Sequence, residues 1–194
     1  MKPFKKRRRG GLTATFEIGE AHLLASLAGQ VVELLRDRNG AEQSDADPLA
    51  AQLGMGGPSL PPEDPVLLRL LPDAYRDDAD DSGEFRRFTE RSLTSTKVHN
   101  AEILIGSLID GGLNFGEPPH EDGDPVEVEL GPGEVQSWLR ALTDIRLSLA
   151  VRLGIETDDD IMVVAASEDD AIAAMSDIFE WLGYVQETLV EALD

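Results

Sequence analysis

"PGEVQSWLRALTDIRLSLAVRLG", Pro132 to Gly154, decides how the rest of the chain is read. Val135, Trp138, Leu139, Leu142, Ile145 and Leu149 recur three and four residues apart, the spacing that lines one face of an α-helix. Proline opens the stretch, where the missing N–H is harmless, and Gly154 closes it, where a left-handed cap ends a helix. A helix this amphipathic is stable only when its stripe is covered, so the neighbouring segments must supply matching apolar faces.

They do. From Gly19 to Arg38, Leu23, Leu24, Leu27, Val31, Leu34 and Leu35 keep helical spacing, and Asn39-Gly40 reads as the stop. A C-terminal helix is expected from about Glu168 to Leu193, with Ile172, Met175, Ile178, Phe179, Leu182, Val185, Leu189 and Leu193 as its stripe. A further long helix is expected from about Gly83 to Ile109, with Ser82 as N-cap. "LTATFEI" (Leu12 to Ile18) and "VEVEL" (Val126 to Leu130) alternate and read as short strands. Each precedes a glycine, a glutamate and a leucine-rich helix, and pairing the two strands satisfies edges that would be marginal alone. "TDDDIMVVAASEDD" is ambiguous. The expected fold is therefore mainly α: a bundle of about four long helices with a minor two-stranded β-ribbon.

Residues 1–11 read as a disordered basic arm, and 12–194 as a single helical domain interrupted by a Pro/Gly-rich insertion over 41–81. In that insertion only "DPLAAQL" and "PEDPVLLRLL" fit short helices, with Pro65 in a first turn. The chain has 17 basic and 38 acidic residues, a formal charge of −21. Six of the 17 are Lys2, Lys5, Lys6, Arg7, Arg8 and Arg9, so 11 basic residues face 38 acidic ones over the remainder. Such a body repels phosphate backbones, whereas the arm could bind nucleic acid without sequence preference, or dock on the acidic body. With no cysteine there are no disulfides or thiolate metal ligands, which suits a reducing, cytoplasmic compartment. No continuous apolar run reaches the ~18 residues of a membrane span, and no membrane partner is expected.

The chemistry-bearing patterns fail when counted. "DADDSGEFRRFTER" (Asp78 to Arg91) begins like a calcium loop, with Asp78, Asp80, Ser82 and Gly83 in register. Its twelfth position, where a bidentate glutamate belongs, is Thr89, and its ninth is the cation Arg86. The acidic run is read instead as a solvated loop leading into a helix N-terminus, where carboxylates favour the macrodipole. His22, His99 and His120 show neither zinc nor di-iron spacing, and no phosphate-binding or nucleophile-elbow pattern occurs. No catalytic residue, cofactor or metal is therefore assigned.

The segment "TERSLTSTKVHNAE" (Thr89 to Glu102) is polar apart from Leu93 and Val98, although its helix starts apolar, at Phe85 and Phe88, and ends apolar, at Ile103, Leu104 and Leu108. Either it projects into solvent, or Ser92, Thr96, His99 and Asn100 turn inward as a polar network. Asp144 and Arg146, with Gln186 and Glu187, border apolar stripes where they could bridge helices or sit at a rim. Trp181 flanks its stripe, and with Tyr184, Gln186 and Glu187 it is a candidate partner-binding surface.

At "PEDPVLLRLLPDAYRDD", "EFRRFTERSL", "WLRALTDIRLSLAVRLGI" and "WLGYVQETLVEAL" the chain resembles an actinobacterial family of unknown function, DUF2017, from about Phe16 to Leu193. The basic arm falls outside that resemblance. Members have been described as transcriptional regulators and tend to be encoded near an adaptor of the Clp protease. The resemblance implies a cytoplasmic bacterial protein with no catalytic residue to carry over. The resulting expectation is a non-enzymatic, adaptor-like regulator acting through a protein partner, with a nucleic-acid-associated regulator using the arm as the alternative.

Trp138 lies on the decisive stripe and should be buried, whereas Trp181 should be half covered. Trp138→Ala is expected to cost ~3–5 kcal/mol in urea denaturation, a large share of the ~5–15 kcal/mol that holds such a domain, and Trp181→Ala clearly less.

Overall fold

The computed structural model describes residues 1–8, 10–43, 57–75, 77–116 and 123–194, with the backbone alone for 40–43. Among them are three strands, β1 (Lys2–Lys6), β2 (Leu12–Phe16) and β3 (Val126–Leu130). The same residues hold six helices: α1 (Ile18–Gln43), α2 (Pro65–Leu70), α3 (Ala79–Asp110), α4 (Pro132–Leu153), α5 (Asp158–Ala165) and α6 (Asp170–Glu191). The protein is mainly helical with a small antiparallel sheet in the order β1-β2-β3. "DPLAAQL", Arg9 and His120 lie outside the described residues.

α4 is the central element. It packs on α1, α2, α3, α6 and β3, and its stripe of Val135, Trp138, Leu142, Ile145 and Leu149 is buried. Pro132 stands in its first turn, and Gly154 caps it in the left-handed conformation with φ 69°. α1 lies along α3 with Ala21, Leu24, Ala25, Ala28, Val31, Val32 and Leu35 buried; its alanines let the two backbones approach. It does not stop at Asn39-Gly40 but continues to Gln43. Over Ile18–Asn39 it is long and apolar enough on average to cross a bilayer, although no unbroken apolar run showed this in the sequence. Its apolar face is in the core. On α6, Phe179, Leu182, Val185 and Leu189 are buried against the body, while Leu193 is exposed beyond the helix end. The ambiguous segment forms α5, whose N-terminus Asp160 closes by accepting the backbone N–H of Thr157 at 2.7 Å.

β2 and β3 pair in register, with Leu12 opposite Leu130, Ala14 opposite Val128 and Phe16 opposite Val126. These six side chains are buried and form the floor on which Trp138 sits. The expected two-stranded ribbon is a three-stranded sheet because residues 2–6, read as part of a disordered arm, form β1 on the other side of β2. The reason is Phe4. It is buried, with its ring 6.2 Å from Phe16 and 5.6 Å from Trp138. The lysines around it stay exposed, a common protection for an edge strand.

α3 also differs at its start. Its N-cap is Asp78, whose Oδ1 accepts the N–H groups of Asp80 at 3.1 Å and Asp81 at 2.9 Å. Ser82 therefore lies inside the helix, buried, with its hydroxyl donating to the Tyr75 carbonyl at 2.6 Å. The calcium-like stretch is the first turns of a helix, so its carboxylates cannot wrap a cation as a loop does.

The turn joining β1 to β2 is closed by Arg7 N–H on the Gly11 carbonyl at 3.0 Å, and Gly10 and Gly11 take φ 87° and 79°. A Cβ at Gly10 would meet open space; one at Gly11 would collide with the Leu130 carbonyl of β3. Gly10→Ala is expected to lower stability by the ~1–2 kcal/mol of a left-handed non-glycine residue. Gly11→Ala should cost distinctly more, measured by thermal unfolding; equal losses would mean that the turn does not pack closely on the Leu130 carbonyl of β3.

Candidate functional site

α3 carries two environments along one face. Leu104 and Leu108 continue the core near the sheet, and Ala101 lies one turn earlier. Toward the N-terminus the same three-and-four spacing passes through Lys97, Thr94, Glu90, Arg86 and Ser82. Except for Lys97, which is part-buried, these residues are buried. The polar middle of the helix therefore keeps its stripe and fills it with polar groups.

Arg86 and Glu90, only 5% and 2% exposed, are the centre of that seam. Nη1 of Arg86 donates to Glu90, one turn on, while Nη2 donates to Asp73 at 2.7 Å and to the Leu71 carbonyl at 3.0 Å. Glu90 receives a second guanidinium from α1, with Arg38 Nε at 3.0 Å; Arg38 reaches on to the Leu60 carbonyl at 2.7 Å. Burial pulls the Arg86 pKa down, but hydrogen bonds and charge from Asp73 and Glu90 outweigh it and leave it raised. The seam ties α1, α3 and the Leu71–Asp73 segment together.

Two turns farther on, Lys97 Nζ meets Asp144 Oδ1 of α4 at 2.6 Å. Burial pushes the Asp144 carboxyl up, against the opposing effect of Lys97. Between the two ion pairs, the Thr94 hydroxyl is fully enclosed and has no hydrogen-bond partner among the described residues. Arg146 donates to Gln186 of α6 at 2.9 Å and lies over the Phe179 ring at 5.0 Å. Asp144 and Arg146 thus each join α4 to another helix.

Ser92, Thr96 and His99 do not meet Asn100 in a network. They point to solvent, and only Asn100 is buried. The inward stripe passes through 90, 94, 97 and 101, which turns 92, 96 and 99 outward; Thr96 donates instead to the Ser92 carbonyl at 2.8 Å. On α6, Trp181 is half-buried beside Gly19, Leu23 and Ile178, with its indole N–H enclosed and lacking a partner among the described residues. Tyr184 is 46% exposed, Glu187 is exposed, and Gln186 is occupied by Arg146 and by the Thr143 hydroxyl at 2.9 Å.

The inversion on α3 has a second consequence. Because charged residues face in, Phe85, Phe88 and Leu93 face out, exposed by 47%, 52% and 41%; Tyr75, 50% exposed, packs edge-on to Phe85 at 6.1 Å. The sequence pattern makes Phe85 and Phe88 the apolar start of this helix, which a bundle would be expected to bury. The Arg86–Glu90 spacing of four is that of an ordinary exposed helix ion pair, so the sequence carries no signal for the opposite orientation.

The basic strand does not present a uniform cationic face. Register places Lys5 beside Thr13 and Thr13 beside Glu129, and Lys2 beside Thr15 and Thr15 beside Glu127. Arg7 pairs with Glu129 at 2.7 Å, while Lys2, Lys5, Lys6 and Arg8 remain exposed.

Removing one member of a buried ion pair strands its partner. Glu90→Ala leaves Arg86 and Arg38 without their shared carboxylate and is expected to cost ~3–5 kcal/mol in urea denaturation. A loss below ~1 kcal/mol would show that the seam contributes no more than an exposed surface pair.

Comparison with known proteins agrees with this architecture in extent. The family model described as "Domain of unknown function (DUF2017)" matches residues 1–193, so the basic strand lies inside the family's boundaries and not outside them. Relatives include the oxidative stress regulator AosR of Mycobacterium tuberculosis, strain H37Rv, and the putative oxidative stress regulator AosR of Mycobacterium leprae. Each is 32% identical over 178 residues, which cover 90% of this chain and 78% of the relative. No solved structure matches the chain. The match over almost the whole length, together with relatives at this identity, shows that the chain belongs to the DUF2017 family.

Proposed function

We propose that this protein is a non-enzymatic regulator of the cytoplasm that acts by binding a protein partner. The observation that carries the reading is the exposed group of Phe85, Phe88 and Leu93 on a helix whose inner side is fixed by buried ion pairs, with exposed Tyr75 of the preceding segment packed against Phe85. Large apolar side chains gathered on a rigid element mark contact surfaces, and aromatic ones dominate binding energy. The α6 candidates are weaker support: Gln186 is engaged internally, and Trp181 is half covered. The regulatory role is supported by the relatives' name, oxidative stress regulator. These 194 residues contain no cysteine, so regulation through them does not use a thiol of this chain.

The basic segment supports nucleic-acid binding less well. Phe4 holds β1 in the sheet, and Glu127 and Glu129 share cross-strand rows with its lysines, which favours use of those cations within the molecule.

A photo-cross-linking residue in place of Phe88, expressed in the native host, should join the full chain to a discrete protein. The same residue in place of Ser26, exposed on α1, should not. Equal labelling from both positions would remove the α3 surface from the reading.

A further inference from the structure

We propose that the hollow between the Leu71–Ala74 segment and the N-terminal half of α3 receives an apolar side chain from a basic peptide segment of the partner. The inference rests on the reading just given and adds the chemistry of the bound segment.

The hollow measures about 270 Å³, and Leu71, Pro72, Ala74, Phe85, Thr89 and Leu93 form most of its wall. That lies just below the roughly 300–1,000 Å³ of small-molecule pockets. It suits an anchoring side chain inserted from outside better than an enclosed ligand. Arg86 and Glu90 also reach its wall, but their charges are already satisfied by each other, by Asp73 and by Arg38. An apolar group can enter without stranding either charge. Phe85 on the wall and Tyr75, packed edge-on to it, stand exposed, and Phe88 is exposed one helical turn on from Phe85, so an arriving segment that extends along the helix would cover them as its anchor seats.

Charge selects the occupant. From Asp73 to Phe85 the chain has acidic residues at 73, 77, 78, 80, 81 and 84 and a single basic one, Arg76. Among the described residues, Asp77, Asp80, Asp81 and Glu84 are all exposed. This potential attracts lysine and arginine and repels nucleic acid, anionic lipid and a second copy of a chain with formal charge −21. Apolar anchors flanked by basic residues, as on an amphipathic helix, match both features of the site.

The test uses the folded full chain and two synthetic amphipathic peptides with Leu and Phe on one face. One carries lysines on the other face; in its analogue every lysine is glutamate. Binding is read by fluorescence anisotropy of the labelled peptides. The wild type should bind the lysine peptide and not the glutamate analogue. Phe85→Ser/Phe88→Ser should weaken binding about tenfold or more, the scale of losing interface anchors. Asp77→Asn/Asp81→Asn/Glu84→Gln should weaken it several-fold near ~0.15 M salt, with the difference fading toward ~1 M as charges are screened. All five side chains are exposed, and circular dichroism confirms that each variant is folded; Phe88→Ser alone serves if the double variant is not. Equal affinity for both peptides, no binding of either, or variants that bind like the wild type would overturn the proposal. So would a wild-type dimer in sedimentation that Phe88→Ser dissociates, since the occupant would then be a second copy. If the peptides fail while position 88 still cross-links a discrete protein, the chemistry proposed here is wrong and the partner reading stands. If both fail, both are overturned.

Discussion

The constraint on which the distal half of the molecule depends is the burial of Glu90 between two guanidiniums. A carboxylate taken out of water is tolerated only when it is paired and hydrogen-bonded, and Arg86 and Arg38 supply both. Those two arginines come from α3 and α1, and Arg86 also holds Asp73 and the Leu71 carbonyl. One carboxylate thus ties the end of α1 and the segment following α2 to α3. A well-packed apolar group could give comparable stability. The charged version also fixes the rotation of α3 about its axis, because no other turn of the helix places both residues within reach of their partners. That rotation turns Phe85, Phe88 and Leu93 outward.

At the opposite end the constraint is apolar. Phe4, Phe16 and Trp138 meet as three rings with centroids 5.6–6.2 Å apart, and the Trp138 N–H donates to the Ser107 hydroxyl at 2.7 Å. One indole therefore joins the sheet, α4 and the end of α3. The Glu127 N–H, bonded to the Gly111 carbonyl at 3.1 Å, ties that end of α3 to β3. α3 is held at both ends by different physics: by aromatic packing and backbone pairing near the sheet, and by buried ion pairs away from it. A helix fixed in this way offers a rigid outer face, and rigidity lowers the entropy lost when a partner binds.

The sequence by itself determined the elements whose pattern is dense and apolar. α4 is the clearest case: Val135, Trp138, Leu142 and Ile145 are buried as spacing alone requires, and Pro132 and Gly154 mark its ends because proline and glycine have restricted places in a helix. β2 and β3 were legible from alternation, and the stripe of α6 from its period. Half burial of Trp181 followed from its place beside that stripe. β1 was not legible, because one phenylalanine among lysines and arginines gives no periodicity, and its burial depends on a pocket made by Phe16 and Trp138 from distant parts of the chain.

The candidate site belongs to what only the tertiary structure decided. Sequence spacing shows that Arg86 and Glu90 lie one helical turn apart, but such pairs are ordinarily exposed. Only the arrival of Arg38 from α1 and of Asp73 and the Leu71 carbonyl from the preceding segment makes their burial tolerable. The choice between Ser92, Thr96 and His99 facing inward and Arg86, Glu90, Thr94 and Lys97 doing so is a rotation of one helix. Local propensity is indifferent to that rotation. Long-range charge pairing is not, because the desolvation of a buried ion is offset only by partners that the rest of the fold brings to it.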